Sequence, residues 1–87
     1  MYRVLYSAHA EKTLRKMDRL TAAFLLSWIE KNLVGCENPR AKGKALTGDK
    51  TGCWFYRIGD YRILADIRDD FLLIEVIAIG RRQEVYR

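Results

Sequence analysis

The sequence RIGDYR at positions 57–62 is the part of this chain best suited to binding an anion. Gly-Asp is a favoured two-residue hairpin loop, because glycine reaches positive φ without steric cost. In such a hairpin Ile58 pairs with Tyr61, and Arg57 lies directly across from Arg62. Facing like charges cost a few tenths to about 1 kcal/mol of stability, whereas a phosphate bound there accepts hydrogen bonds from both planar guanidinium groups. The run therefore predicts a phosphate-binding hairpin.

Overall charge favours a polyanionic partner. The 87 residues make one domain, 1–87, with 16 basic and 11 acidic residues and a formal net charge of +5. The hydrophobic share of 49% is that of a globular protein. A basic excess of this kind indicates nucleic acid or an acidic protein as the partner.

Metal, cofactor and membrane functions find no support in the sequence. Cys36 and Cys53 form no CxxC unit, and the single histidine, His9, is far from both, so we expect free thiols, no metal and no cofactor. The N-terminus lacks the pattern of a signal peptide, and the longest nearly apolar stretch, Phe71–Ile79, is too short to span a bilayer. These features predict a soluble cytoplasmic protein.

The first half of the chain predicts one strand and two helices. Tyr2–Tyr6 fits a strand, Ser7 can cap a helix over 8–17, and a second helix is expected over 21–34. Its apolar residues recur at steps of three and four and predict a stripe that packs on a sheet: Phe24, Leu25, Trp28, Ile29 and Leu33. Gly35 and Pro39 mark the end of this helical hairpin.

The second half predicts three antiparallel strands, at 53–58, 61–68 and 71–79, joined by Gly59-Asp60 and Asp69-Asp70. Alternation gives the sheet one apolar face to receive the helices. Counting from the second turn places Ile67 opposite Leu72, Tyr61 opposite Ala78 and Arg62 opposite Ile77. The fold class is therefore α+β, a small antiparallel sheet of about four strands in β-α-α-β-β-β order with a two-helix hairpin on one face.

The opposite sheet face is polar and gathers the basic residues. It carries Phe55, Arg57, Arg62, Leu64, Asp66, Arg68 and Glu75. With Ile77 opposite Arg62, the segment 80–82 returns toward the same end of the sheet. Arg57, Arg62, Arg82 and Tyr86 are then expected to converge on one patch.

The chain resembles the RelE/ParE toxin superfamily, on the RelE side. The resemblance covers nearly the whole chain and is carried by GKAL (43–46), YRIGDYRI (56–63) and IGRRQEVY (79–86). It implies a toxin of a type II toxin–antitoxin system that is held inactive by a cognate antitoxin. Released, such a toxin cleaves mRNA in the ribosomal A site, and contact with operator DNA comes only through the antitoxin complex.

The resemblance also implies the site residues. The family's catalytic cluster falls on Arg57, Arg62, Arg82 and Tyr86. The sequence departs from the family at Phe55, where another basic residue is common, and at Arg81, where many relatives have histidine. Further basic residues are expected to hold the RNA backbone without a catalytic role: Lys42, Lys44, Lys50 and Arg81.

The implied chemistry is attack of the RNA 2′-hydroxyl on the adjacent phosphorus. Arg62 and Arg82 would stabilise the charge that develops on the phosphate, because preorganised cations act most strongly on developing charge. Tyr86 would stack on a base or transfer a proton. The ribosome would supply the orientation of the mRNA.

Two other functions remain open on the same residues. One is a ParE-like, non-enzymatic inhibitor of DNA gyrase. The other is a catalytically degenerate nucleic-acid-binding homologue that represses transcription together with its antitoxin. Arg57 and Arg62 would then be solvated surface residues, and Tyr86 a packing residue.

Overall fold

A computed structural model describes residues 1–45 and 53–81 of the chain. The elements follow the order β1 (Arg3–Tyr6), α1 (Ala8–Lys16), α2 (Arg19–Asn32), β2 (Lys44–Ala45), β3 (Cys53–Ile58), β4 (Tyr61–Arg68), a 3-10 turn (Asp69–Phe71) and β5 (Leu73–Arg81). The predicted α+β class is confirmed, with the bounds of β3 and β4 as expected from the sequence.

The five strands form one mixed sheet in the order β1-β5-β4-β3-β2. β1 runs parallel to β5, and the other pairs are antiparallel. The sheet thus has one strand more than expected and is not wholly antiparallel. β2 was missed because it has only two residues, both exposed, so it shows no alternation of apolar and polar side chains.

Both helices begin at side-chain caps. Ser7 Oγ accepts a hydrogen bond from the Ala10 amide at 3.0 Å, as expected. α2 begins at Arg19 rather than 21, because Asp18 caps it by accepting from the Thr21 amide at 3.1 Å. Residues 33 and 34 lie beyond its last helical residue.

The helices cover the apolar face of the sheet. The buried core joins helical Ala10, Leu25, Ile29 and Leu33 to sheet residues that include Tyr56, Ile63, Ala65, Ile74, Val76 and Ile79. Phe24, expected in the apolar stripe, is 57% exposed instead. It precedes Leu25 on the helix, and a position about 100° around the axis points away from the core.

The β4–β5 register differs from the expected one in two steps. The 3-10 turn and Leu72 in the left-handed conformation (φ 50°) replace the expected two-residue loop, so Ile67 lies opposite Ile74. A bulge then leaves Ile77 between the paired positions. Tyr61 consequently faces Arg81 rather than Ala78, and Arg62 faces Gly80 rather than Ile77.

A polar cluster ties the segment after α2 to the far end of the sheet. Arg40 donates two hydrogen bonds to Asp69, each at 3.0 Å, and the Tyr2 hydroxyl donates to the same carboxylate at 2.5 Å. These donors lower the pKa of Asp69, and the hydrogen bond to Asp69 raises the pKa of Tyr2. The buried Tyr56 hydroxyl donates to the Pro39 carbonyl, and burial raises the pKa of Tyr56.

Other expectations concern metals, thiols and membranes. Cys36 and Cys53 are both free thiols, as the sequence predicts. Within residues 1–45 and 53–81, no group of three or more possible metal-ligating side chains occurs. No helix in that part of the chain is both long and apolar enough to cross a membrane.

Candidate functional site

The β3–β4 hairpin has the register that its loop residues predict. Ile58 pairs with Tyr61, Arg57 pairs with Arg62, and Gly59 adopts a positive φ of 59°. Both arginines therefore leave the sheet on the face opposite the helices. The geometric part of the sequence prediction is confirmed.

Arg62 packs against an aromatic ring of the neighbouring strand. Its guanidinium carbon lies 4.8 Å from the centroid of the Phe55 ring, which is diagonal to it on the neighbouring strand. Arg57 is exposed, whereas Arg62 is half-buried. Gly80, opposite Arg62 on β5, brings no side chain into this space. Stacking on Phe55 thus gives Arg62 a favourable contact that offsets like-charge repulsion.

These side chains line a groove of about 320 Å³ on the polar face. Its lining consists of Ala41, Lys42, Gly43, Lys44, Phe55, Arg57 and Arg62. Four of the seven residues are cationic and none is acidic. A groove with this lining attracts and binds anions, phosphate above all.

β2 supplies the second wall of the groove. Lys44 is the cross-strand neighbour of Phe55, and the Lys42 ammonium donates to the side-chain carbonyl of Asn32 at the end of α2. Gly43, between these lysines, packs so closely that a Cβ there would lie 2.6 Å from the Phe55 carbonyl oxygen and would overlap the Trp54 indole. The wall's position therefore depends on the absence of a side chain at residue 43.

At the other end of the polar face, the basic side chain of β4 is paired with carboxylates. Arg68 pairs with Asp66 at 3.1 Å and reaches Glu75 at 3.5 Å. These three residues lie toward the opposite end of β4 from Arg62. Positive charge is thus concentrated at the hairpin end of this face, beside the groove.

The structure brings together four of the eight predicted site residues: Lys42, Lys44, Arg57 and Arg62. Arg81 is exposed and pairs with Tyr61, whose ring centroid lies 6.0 Å from its guanidinium carbon. Because Tyr61 packs against the helix-side core, Arg81 leaves the sheet on the other face from Arg62. Lys50, Arg82 and Tyr86 lie outside the described residues.

Phe55 belongs to the groove, although it is not among the site residues predicted from the sequence, where it stands as a departure from the family pattern. Strand alternation had already placed it on the face of Arg57. The contact with Arg62 is what makes it part of the groove.

The described groove is equipped for binding and charge stabilisation. Its lining contains cations and an aromatic ring but no histidine or carboxylate to move a proton. Arginine and lysine at ordinary pH hold their protons and act as fixed charges. On these residues alone, the groove would grip a phosphate and stabilise charge that develops on it.

Comparison with known proteins assigns the family. Residues 4–86 match the family model described as the ParE toxin of the type II toxin–antitoxin system parDE. The chain is 34% identical over 86 residues to Toxin RelE of Mycobacterium tuberculosis, covering 99% of this chain and 87% of that protein.

Solved structures agree in fold. The Mycobacterium tuberculosis toxin–antitoxin complex RelBE2 contains a chain that superimposes with a TM-score of 0.84 at 25% identity, covering 93% of this chain and 98% of that one. A mutant of the E. coli toxin RelE in the free state gives a TM-score of 0.76 at 25% identity, covering 98% and 90% of the two chains. The chain, a RelE-like toxin of a type II toxin–antitoxin system, therefore belongs to the RelE/ParE toxin superfamily.

Proposed function

We propose that this toxin is a ribosome-dependent endoribonuclease that cleaves mRNA in the A site, inhibits translation and is neutralised by a cognate antitoxin. The observation that carries the proposal is the groove whose described lining brings together four cations, Lys42, Lys44, Arg57 and Arg62. Similarity to Toxin RelE of Mycobacterium tuberculosis supports the same activity. Action on ribosomes would take place in the cytoplasm.

The groove residues have distinct tasks in the proposed reaction. The 2′-hydroxyl loses its proton and attacks the adjacent phosphorus, and the bond to the 5′-oxygen breaks. Arg62, oriented by its contact with Phe55, and Arg57 across the hairpin stabilise the negative charge on the phosphate. Lys42 and Lys44 hold the RNA backbone on either side of that phosphate.

Arg82 and Tyr86 complete the proposed catalytic set. Arg82 adds a further cation to the phosphate, and Tyr86 stacks on a base or handles a proton, as the family resemblance implies. The carboxylate-free groove relies on the ribosome to orient the 2′-hydroxyl for in-line attack. Lys50 contributes a backbone contact outside the catalytic set, whereas Arg81, on the other face of the sheet, is not part of the groove.

An antitoxin is the proposed protein partner. The similar chains include toxins in complex with their antitoxins, among them RelBE2 of Mycobacterium tuberculosis and the RelE–RelB complex of Pyrococcus horikoshii. Operator DNA would be reached only through the antitoxin in such a complex.

Primer extension on mRNA from a translation reaction tests the activity. Purified toxin should produce downstream mRNA fragments with new 5′ ends within the reading frame, and premixing with its antitoxin should suppress them. Arg62→Ala or Arg82→Ala should abolish cutting while antitoxin binding is retained. Intact mRNA in the presence of folded wild-type toxin would contradict the proposal.

The ParE family model favours a second candidate, non-enzymatic inhibition of DNA gyrase. A gyrase supercoiling assay with the same preparation separates the two. Loss of supercoiling with intact mRNA would support the ParE-like function. Salt-dependent RNA binding with neither effect would point to a degenerate toxin that acts with its antitoxin in repression.

A further inference from the structure

Phe55 is an aromatic residue on the polar face of the sheet, outside the helix-side core. It lies in the middle of β3 with Lys44 and Leu64 as its cross-strand neighbours. Its ring is only partly buried and lines the groove together with four cations. An aromatic ring among phosphate-binding cations is the combination that single-stranded nucleic acid requires, because each nucleotide offers both a charged phosphate and a flat base.

Arg62 lies over the flat face of Phe55. Its guanidinium carbon lies 4.8 Å from the ring centroid, which places a planar cation over the phenyl face. Proteins bind unstacked RNA bases on aromatic rings and on guanidinium planes alike. The ring and the guanidinium therefore form a stacked pair to which the flat face of a base can be added, and we name this pair the Phe55–Arg62 platform.

The groove has room for a nucleotide beside this platform. Its volume of about 320 Å³ falls within the range of roughly 300–1,000 Å³ that is usual for small-molecule sites. Arg57, across the hairpin from Arg62, and Lys44, beside Phe55, stand within the same lining. A base on the platform would leave its phosphate among these cations.

We propose that the Phe55–Arg62 platform stacks a nucleobase of the bound RNA and thereby fixes the adjacent phosphate against Arg57 and Lys44. This inference rests on the proposed RNA-directed function and names a base-binding subsite within it. Stacking tolerates every base, because each has a π face. The subsite therefore fixes the position of the RNA strand in the groove without selecting a base sequence.

Fluorescence polarisation with two labelled oligonucleotides tests the subsite. One is a short single-stranded RNA, and the other has the same ribose-phosphate backbone with its bases removed. Wild-type toxin should bind the base-bearing strand more tightly by about 5- to 150-fold, the range that one stacked base contributes. Phe55→Leu should bring this ratio close to one, because it weakens binding of the base-bearing strand more than binding of the abasic strand, whereas Phe55→Trp should preserve the ratio.

Arg57→Gln is the matched control. It removes a phosphate contact, so it should lower the affinity for both strands by the same factor and leave the ratio of the two affinities unchanged. Equal affinity of wild-type toxin for the two strands would overturn the platform, as would a Phe55→Leu variant with an unchanged ratio. The wild-type comparison does not depend on the folding of any variant.

The outcome is separable from the test of cleavage. A base-dependent ratio without mRNA cutting would overturn the endoribonuclease and leave the platform standing. Cutting by a wild-type toxin that does not distinguish the two strands would overturn the platform alone.

Discussion

At the scale of single residues, Arg62 is positioned by its contact with the face of an aromatic ring. Its guanidinium lies over the Phe55 ring at 4.8 Å while its partner Arg57 is exposed. The ring limits the orientations available to Arg62, so the guanidinium charge is already oriented before a phosphate binds. Preorganisation of this kind distinguishes a binding site from a surface that is merely basic.

We predict that Arg62→Lys lowers the rate of RNA cleavage although it keeps the charge. Lysine lacks the planar fork and the stacking face. The loss should be about 5- to 30-fold, which corresponds to a cation–π contact of ~1–2 kcal/mol. Primer extension over a time course measures it.

Arg57→Lys is the control, because Arg57 is exposed and lies across the hairpin from the same site. It should lose distinctly less activity than Arg62→Lys. Equal losses in the two variants would mean that the contact with Phe55 does not orient Arg62.

At the scale of elements, β2 and the β3–β4 hairpin form the two walls of the groove. The hairpin register follows from two loop residues, whereas the position of β2 follows from close packing of Gly43 on Trp54 and Phe55. A two-residue strand has little hydrogen bonding of its own. Tertiary contact therefore fixes where Lys42 and Lys44 stand.

We predict that Gly43→Ala destabilises the fold and weakens RNA binding together. The new Cβ would lie 2.6 Å from the Phe55 carbonyl oxygen, and overpacking of this kind costs about 1–3 kcal/mol. Urea unfolding measures the stability, and fluorescence polarisation with single-stranded RNA measures the binding.

Ala41→Ser is the matched control, because Ala41 is exposed and lines the same groove. It should change neither quantity. Full stability and full RNA affinity in Gly43→Ala would show that β2 is not held by this packing.

The same elements show how much the sequence can predict. The Gly59-Asp60 loop fixes its register through glycine φ, and helix periodicity identifies Leu25, Ile29 and Leu33 as core. Asp69-Asp70 resembles an equally short loop, but the chain forms a 3-10 turn there and uses two more residues before β5 begins. The choice between these turns depends on the contacts of Asp69 with Arg40 and Tyr2, which are distant in sequence.

The bulge explains why Arg81, a predicted site residue, lies on the other face of the sheet from Arg62. Strict alternation from the expected register puts Arg81 on the face of Arg62. The extra residue at Ile77 reverses the alternation, so Ile79 is buried and Arg81 lies against Tyr61. A single bulge in an apolar strand leaves no mark in composition or period, and only pairing reveals it.

At the scale of the whole molecule, one carboxylate joins three distant parts of the chain. Asp69 accepts from Tyr2 before β1 and from Arg40 in the segment after α2. Tyr56 binds the Pro39 carbonyl beside it. These contacts hold the chain that leads into β2, and so connect overall stability to the groove wall.

We predict that stability falls as acid protonates Asp69. Its pKa is lowered in the folded state by Arg40 and Tyr2, from an ordinary value of 3.8. The contribution is therefore complete above that value and is lost as the pH falls through the lowered pKa. Asp69→Asn should be less stable than wild type at pH 7, and this deficit should shrink steadily below pH 3.8.

Urea unfolding at a series of pH values measures this effect. Asp70→Asn, at the neighbouring exposed position of the same turn, is the control and should retain the wild-type pH dependence. A constant deficit for Asp69→Asn at every pH would contradict the assignment.

Net charge is a second property of the whole molecule that affects RNA binding. A net charge of +5 by itself attracts RNA. We propose that the groove, and not the general basic surface, binds and cleaves RNA. Arg15 in α1 and Arg19 in α2 are exposed on the helices that cover the opposite face of the sheet. They allow a comparison in which the loss of charge is identical.

The most direct test is the single-turnover rate of mRNA cleavage on ribosomes for two double variants. Arg57→Gln with Arg62→Gln removes the groove cations, and Arg15→Gln with Arg19→Gln removes the same two charges from the helices. We expect the groove variant to lose at least about 100-fold in cleavage rate and the helix variant to stay close to wild type. Both variants should still bind antitoxin. Equal losses in the two variants would contradict the proposal.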